Sequence, residues 1–128
     1  MVFVPGGRKA FRMGTGEWAV TRVQIFRTGD GHTRSITCQG HTEYSDGADI
    51  VCAGVSAIVI NTINCLEDLL HERIEVDADE EEGGDITCNF LEDAGEKGEF
   101  LIDCMIHGME WIETQYGTQY LSHRVITL

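Results

Sequence analysis

From Ile50 onward the sequence repeats apolar residues at three- and four-residue intervals, which is the periodicity of an α-helix. The repeated positions are Val51, Val55, Ile58, Val59, Ile63, Leu66 and Leu70. The first half of this stretch is apolar on nearly every side, so we expect a helix that is buried on more than one face. Asp49 directly precedes the stretch and is a favourable N-cap residue. The most strongly apolar run, Ile50 to Ile60, is too short to cross a bilayer, and we expect no membrane partner.

Short alternating runs typical of β-strands surround this helix. Residues 19–27 and 34–39 alternate apolar and polar side chains on either side of a glycine-rich turn, which predicts a hairpin. Runs at 74–76, 86–90 and 120–127 predict further strands, and apolar spacing over 98–116 predicts a second helix. The order β-β-α-β-β-α-(β) predicts an α+β fold of two layers, an antiparallel or mixed sheet with two main helices packed on it.

The organisation along the chain is expected to be simple. Residues 1–18 hold the only proline, four glycines and no sustained periodicity, which predicts a flexible N-terminal extension. Residues 19–128 are then expected to form a single domain, since 128 residues are enough for one hydrophobic core.

The chain is strongly acidic, with a net charge of −13. Residues 67–128 contain 17 acidic and only three Lys or Arg residues. Such a charge repels phosphate backbones, so we expect no direct nucleic-acid partner, and it favours encounter with a basic protein. No signal peptide opens the sequence, so we expect a cytoplasmic protein whose five cysteines are free thiols.

Cys52 and His41 are the residues with the clearest chemical potential. If Asp49 caps the helix, Cys52 is its third residue, where unpaired N–H groups and the helix dipole favour a thiolate. His41 lies eleven residues earlier, in a loop bounded by Gly40 and Gly47 that can fold back over the helix. A cysteine with a histidine base is the minimal pair of a cysteine protease. This spacing alone also fits a buried cysteine that acts only as a small apolar residue.

Two further features are open to more than one interpretation. Ser56 lies one turn after Cys52 on the same helix face, and either donates a hydrogen bond near the site or merely permits a close helix contact. Cys104 and His107 are three residues apart on the second predicted helix, but no second pair completes a tetrahedral metal site. We therefore expect neither a metal nor a cofactor.

The sequence around these residues resembles the bacterial ribosomal-processing cysteine protease family, Prp. The resemblance is carried by Gly40-His41, by Gly47, and by the block Asp49-Ile50-Val51-Cys52-Ala53-Gly54-Val55-Ser56-Ala57. It extends at the level of pattern from about Val20 to Leu121.

The resemblance implies a homodimeric α+β enzyme that removes a short N-terminal extension from the large-subunit ribosomal protein numbered twenty-seven. It implies cleavage after an apolar segment ending in paired Phe, just before a small residue. It assigns Cys52 as the nucleophile and His41 as the general base. Asp49 either orients His41 or only caps the helix.

For the mechanism, we expect the backbone N–H groups of Cys52 and Ala53 to be oxyanion donors, and the loop between Gly40 and Gly47 to act as a lid over the substrate. Two other functions fit the residues. One is a non-catalytic ribosome-assembly adaptor that binds a basic ribosomal protein, and the other is a thiol redox sensor that uses Cys52.

Overall fold

The computed structural model describes residues 21–40, 48–79 and 85–128, and the extension predicted over 1–18 lies outside them. The strands are β1 (Thr21–Arg27), β2 (Thr33–Gln39), β3 (Ile74–Asp79), β4 (Asp85–Phe90) and β5 (Leu121–Thr127). The helices are α1 (Ala48–Asp68) and α2 (Glu96–Tyr116). The predicted element order and the α+β class are confirmed.

The five strands form one mixed sheet in the order β3-β4-β2-β1-β5. The pairs β1–β2, β2–β4 and β3–β4 are antiparallel, whereas β5 lies parallel to β1. A parallel neighbour requires a crossover connection, and α2 provides it by carrying the chain from β4 to the far edge of the sheet. The sheet is mixed because α2 returns the chain to the edge beside β1, where β5 pairs in parallel.

Both helices contribute to a single core on one face of the sheet. Alternate strand residues are fully buried and meet across the strands, as in the pairs Val23 with Cys38 and Ile36 with Cys88. Against them pack the buried helix residues Val51, Val55, Val59, Ile63 and Leu66 of α1, and Ile102, Met105, Met109 and Ile112 of α2. This arrangement is the two-layer packing that the alternating strand pattern predicts.

A half-buried carboxylate, that of Glu99, joins the start of α2 to the β1–β2 hairpin. Glu99 accepts hydrogen bonds from the backbone N–H of Thr33 at 2.8 Å and from its hydroxyl at 2.6 Å. The guanidinium of Arg27 donates to Glu99 at 3.3 Å and to Asp103 at 2.8 Å. Because Thr33 is fully buried, its N–H has no access to water and depends on Glu99.

The helix α1 is more extensive than the apolar run from Ile50 to Ile60 suggested. Its segment Ile50–Asp68 has a mean hydropathy of 1.7, so length and composition alone would allow it to cross a membrane. One such helix is weak evidence, because the core helix of a folded domain has the same properties. Here one side of α1 fills the core, and only 44% of the segment is buried.

Candidate functional site

The candidate site lies where β2 ends and α1 begins. Cys38, near the end of β2, belongs to the same core cluster as Val51 and Val55 of the first turns of α1. Gly40 follows β2 and lies next to Asp85, the first residue of β4. The fold therefore brings the ends of three elements together around the start of α1.

Cys52 is buried, with 3% of its surface exposed, and is the fifth residue of α1 rather than the third. In an α-helix the side chain tilts towards the N-terminus, so the sulfur still lies over the first turn, where the helix dipole is positive. His41 and Gly47 lie outside the described residues, so the pairing of Cys52 with His41 stays a prediction. Gly40 is described and has φ of 76°, a conformation that favours glycine.

The start of α1 bears on the roles expected for three residues. The helix is described from Ala48, one residue before the expected cap, so Asp49 is its second described residue, and its role as cap or as partner of His41 stays a prediction. In a regular helix the N–H groups of the fifth and sixth residues bond to carbonyls four residues earlier. The N–H groups of Cys52 and Ala53 therefore have carbonyls of the helix within reach, and their role as oxyanion donors stays a prediction. The first three residues of α1 have no such partners and are the better candidates.

Ser56 is the fourth residue after Cys52 and is completely buried. Its hydroxyl has no hydrogen-bond partner among the residues that the structure describes. Because a buried hydroxyl without a partner costs free energy, this side chain calls for an explanation beyond packing. Its place one turn from Cys52 favours the interpretation in which it serves the site.

Two other buried thiols lie on the sheet face below the helices. Burial raises the pKa of the Cys38 thiol to about 12, with smaller contributions from nearby Cys52 and Asp85. Burial also raises the pKa of the Cys88 thiol to about 12, assisted by the charge of Glu67. Since only a thiolate is a good nucleophile, these two cysteines are inert near neutral pH. Neither can substitute for Cys52.

The remaining thiols and the possible metal pair lie on the helices. Cys65 is half-buried on α1, and Cys104 is exposed on α2. Within residues 21–40, 48–79 and 85–128, no group of three His, Cys, Asp or Glu residues could hold a metal ion. His107 instead lies at an apolar groove.

An open groove of about 530 Å³ runs between α1 and α2. Its walls are apolar, and two of its residues, Ile50 and Trp111, are exposed by 65% and 57%. The other lining residues are Val51, Gly54, Ile58, His107, Gly108, Ile112 and Tyr116. Sequence reasoning missed this groove, because it depends on which parts of the two helices face each other. It also missed Asp85, which carries no motif.

Comparison with known proteins identifies the family. The model of the cysteine protease Prp family matches residues 20–121. A ribosomal processing cysteine protease Prp of Bacillus subtilis is 34% identical over 100 residues, which cover 74% of this chain and 88% of that protein. The Staphylococcus aureus protein of the same name is 26% identical over 96 residues, which cover 74% of this chain and 90% of that protein.

The fold agrees with this match. The crystal structure of the essential ribosomal processing protease Prp from S. aureus with a substrate peptide superposes with a TM-score of 0.73 at 22% identity. The superposition covers 83% of this chain and 99% of that one. The family match over 102 residues, the Bacillus relative and the shared fold agree, and the chain belongs to the cysteine protease Prp family.

Proposed function

We propose that this chain is a cysteine endopeptidase that removes the N-terminal extension of the large-subunit ribosomal protein numbered twenty-seven, with Cys52 as the nucleophile and His41 as the general base. The observation that carries the proposal is the position of Cys52 in the first turns of α1, within the block that matches the family. The positive end of a helix favours an anion, and the thiolate that acyl transfer needs is one.

The proposed reaction is acyl transfer in two steps. His41 takes the proton of the Cys52 thiol, and the sulfur attacks the scissile carbonyl carbon. His41 then passes that proton to the leaving amine as the C–N bond breaks. This leaves a thioester on Cys52 and releases the C-terminal product. His41 then takes a proton from water, the resulting hydroxide attacks the thioester, and the carboxylic acid leaves as the thiol is restored. The N–H groups at the start of α1 stabilise the oxyanion in both steps.

The proposed substrate is supported by the names of the relatives and by the negative charge of this chain. The relatives are named as ribosomal processing proteases, and one S. aureus structure of the family holds a substrate peptide. Residues 67–128 of this chain, with 17 acidic residues against three Lys or Arg, suit encounter with a basic ribosomal protein. We place the reaction in the cytoplasm, where such a substrate is made and thiols stay reduced.

A homodimer is part of the same proposal. The outer surface of α1 presents Ile50, Ala53 and Ala57 to solvent, and Ile50 lines the same groove as the exposed Trp111 of α2. No charged residue occurs between Ile50 and Leu66, in a chain whose net charge is −13. Two acidic copies repel each other except through an uncharged surface, so a second copy is the occupant that this face fits best.

The test uses a peptide with an apolar leader that ends in paired Phe before a small residue. The wild type is expected to cut it after the Phe pair, and Cys52→Ala is expected to bind it without measurable turnover. Cys104→Ala, which removes an exposed thiol, serves as the matched control and should cut normally. A control peptide with both Phe residues replaced by Ala should be cut slowly or not at all.

The same variants distinguish the two alternatives. An adaptor would keep its function in Cys52→Ala and would cut no peptide. A redox sensor would lose function in Cys52→Ala and would also cut no peptide. The sensor is disfavoured because Cys38, the described thiol that is electrostatically coupled to Cys52, has a pKa of about 12 and is a poor resolving thiol. Cleavage that persists in Cys52→Ala would refute the proposed mechanism.

A further inference from the structure

Asp85 fixes the backbone at the point where the chain leaves the sheet towards His41. Its carboxylate oxygen Oδ1 accepts a hydrogen bond from the backbone N–H of Gly40 at 3.2 Å. The β2–β4 ladder ends at the pair of Cys38 with Ile86, so this N–H lies beyond the regular strand hydrogen bonds. The Asp85 side chain therefore adds one hydrogen bond between β4 and the end of β2, beyond the last backbone pair.

The conformation of Gly40 determines the direction in which the chain leaves β2, and the contact with Asp85 holds that conformation. Its φ of 76° turns the chain out of the β2 path, and the next residue is His41. Both partners of the bond are half-buried, which protects it from competition with water. The bond thus sets the direction in which the chain leaves β2 immediately before the proposed base.

Asp85 also lies at the same end of the sheet as the proposed nucleophile. Cys52 and Asp85 each contribute to the raised pKa of the Cys38 thiol, so each of them lies near Cys38. The carboxylate is therefore part of the surroundings of the site, although 33 residues separate Asp85 from Cys52 in sequence.

We propose that Asp85 is a positioning residue of the peptidase, which holds the backbone of Gly40, the residue directly before the proposed base His41. The proposal rests on the proposed roles of Cys52 and His41. Asp85 does not touch the substrate, and it acts by its hydrogen bond to Gly40 and not by its charge. Small displacements of a catalytic group are costly, since about 1 Å of misplacement lowers a rate by about a hundredfold.

The experiment compares Asp85→Ala with Asp85→Asn in cleavage of the paired-Phe peptide. Asparagine keeps an oxygen that accepts the Gly40 N–H but removes the charge. Asp85→Ala is expected to lower kcat by about ten- to a hundredfold with little change in KM, because the substrate contacts remain and the base is misplaced. Asp85→Asn is expected to keep most of the wild-type kcat.

Asp93→Ala is the matched control. It removes the same charge at the opposite end of the same strands, where Asp93 pairs with Arg34, and it should keep wild-type kcat. Urea unfolding of each variant corrects the rates for the folded fraction. If Asp85→Asn loses as much kcat as Asp85→Ala, or if Asp85→Ala cleaves like the wild type, the inference is wrong. Either result leaves the proposed function intact as long as Cys52→Ala is inactive, whereas an active Cys52→Ala would refute the proposed function itself.

Discussion

Replacing Ser56 with alanine should make the protein more stable and less active. The Ser56 hydroxyl is fully buried and has no partner among the described residues, and such a group costs about 1–3 kcal/mol of stability. Alanine also has a higher helix propensity than serine, by about 0.5 kcal/mol in a helix interior. The small cavity that the missing oxygen leaves lowers the stability by about a few tenths of a kcal/mol. We therefore expect Ser56→Ala to raise the free energy of unfolding by about 1–3 kcal/mol.

The same hydroxyl lies one turn from Cys52, so its removal should affect the reaction. If it donates one hydrogen bond in the transition state, its loss is worth about 1.4 kcal/mol, or about tenfold in kcat/KM. A role in the reaction would explain why the protein keeps the Ser56 hydroxyl without a partner although it lowers the stability. The alternative, in which Ser56 only permits close helix packing, predicts the gain in stability without the loss in activity.

Urea unfolding followed by circular dichroism measures the first effect, and cleavage of the paired-Phe peptide measures the second. The midpoint should rise while the slope of the transition stays unchanged. Thr62→Val is the control on the same helix, since its hydroxyl already donates to the carbonyl of Ile58 at 2.8 Å and its removal should bring no gain. A Ser56→Ala variant that is less stable than the wild type would refute the reasoning, because the hydroxyl would then have a partner in the folded protein.

Two more predictions concern the fold. Glu99→Ala should lower the free energy of unfolding by about 2–3 kcal/mol, because the buried N–H of Thr33 loses its acceptor and Arg27 loses one of its carboxylates; a loss below about 0.5 kcal/mol in urea unfolding would contradict this role. The thiols of Cys38 and Cys88 have a pKa of about 12 in the folded protein against an ordinary value of 9.0, so they ionise first in the unfolded chain. Stability should therefore fall as the pH rises from 9 towards 12, and the double variant with alanine at both cysteines should show a shallower fall; equal slopes would contradict the raised pKa values.

Local patterns in the sequence carried most of the secondary structure. Apolar residues spaced for a helix after Ile50 and alternating side chains in the strands are properties of neighbouring residues, and they gave the element order and the α+β class. The block from Asp49 to Ala57 carried the resemblance to the family, because a motif of consecutive residues can be recognised without knowledge of the fold. The exact start of the helix is not a property of that periodicity, and the structure describes α1 from Ala48, one residue before the expected cap.

Only the tertiary structure decided which distant residues meet. The parallel pairing of β5 with β1 depends on where α2 returns the chain, and no local pattern encodes it. The bond between Gly40 and Asp85 joins residues 45 positions apart, and the bonds between Glu99 and Thr33 join residues 66 positions apart. The unpaired hydroxyl of Ser56 likewise appears only when its surroundings are known. Such contacts depend on how whole elements pack, so the sequence alone predicted the chemistry of the site but not the residues that support it.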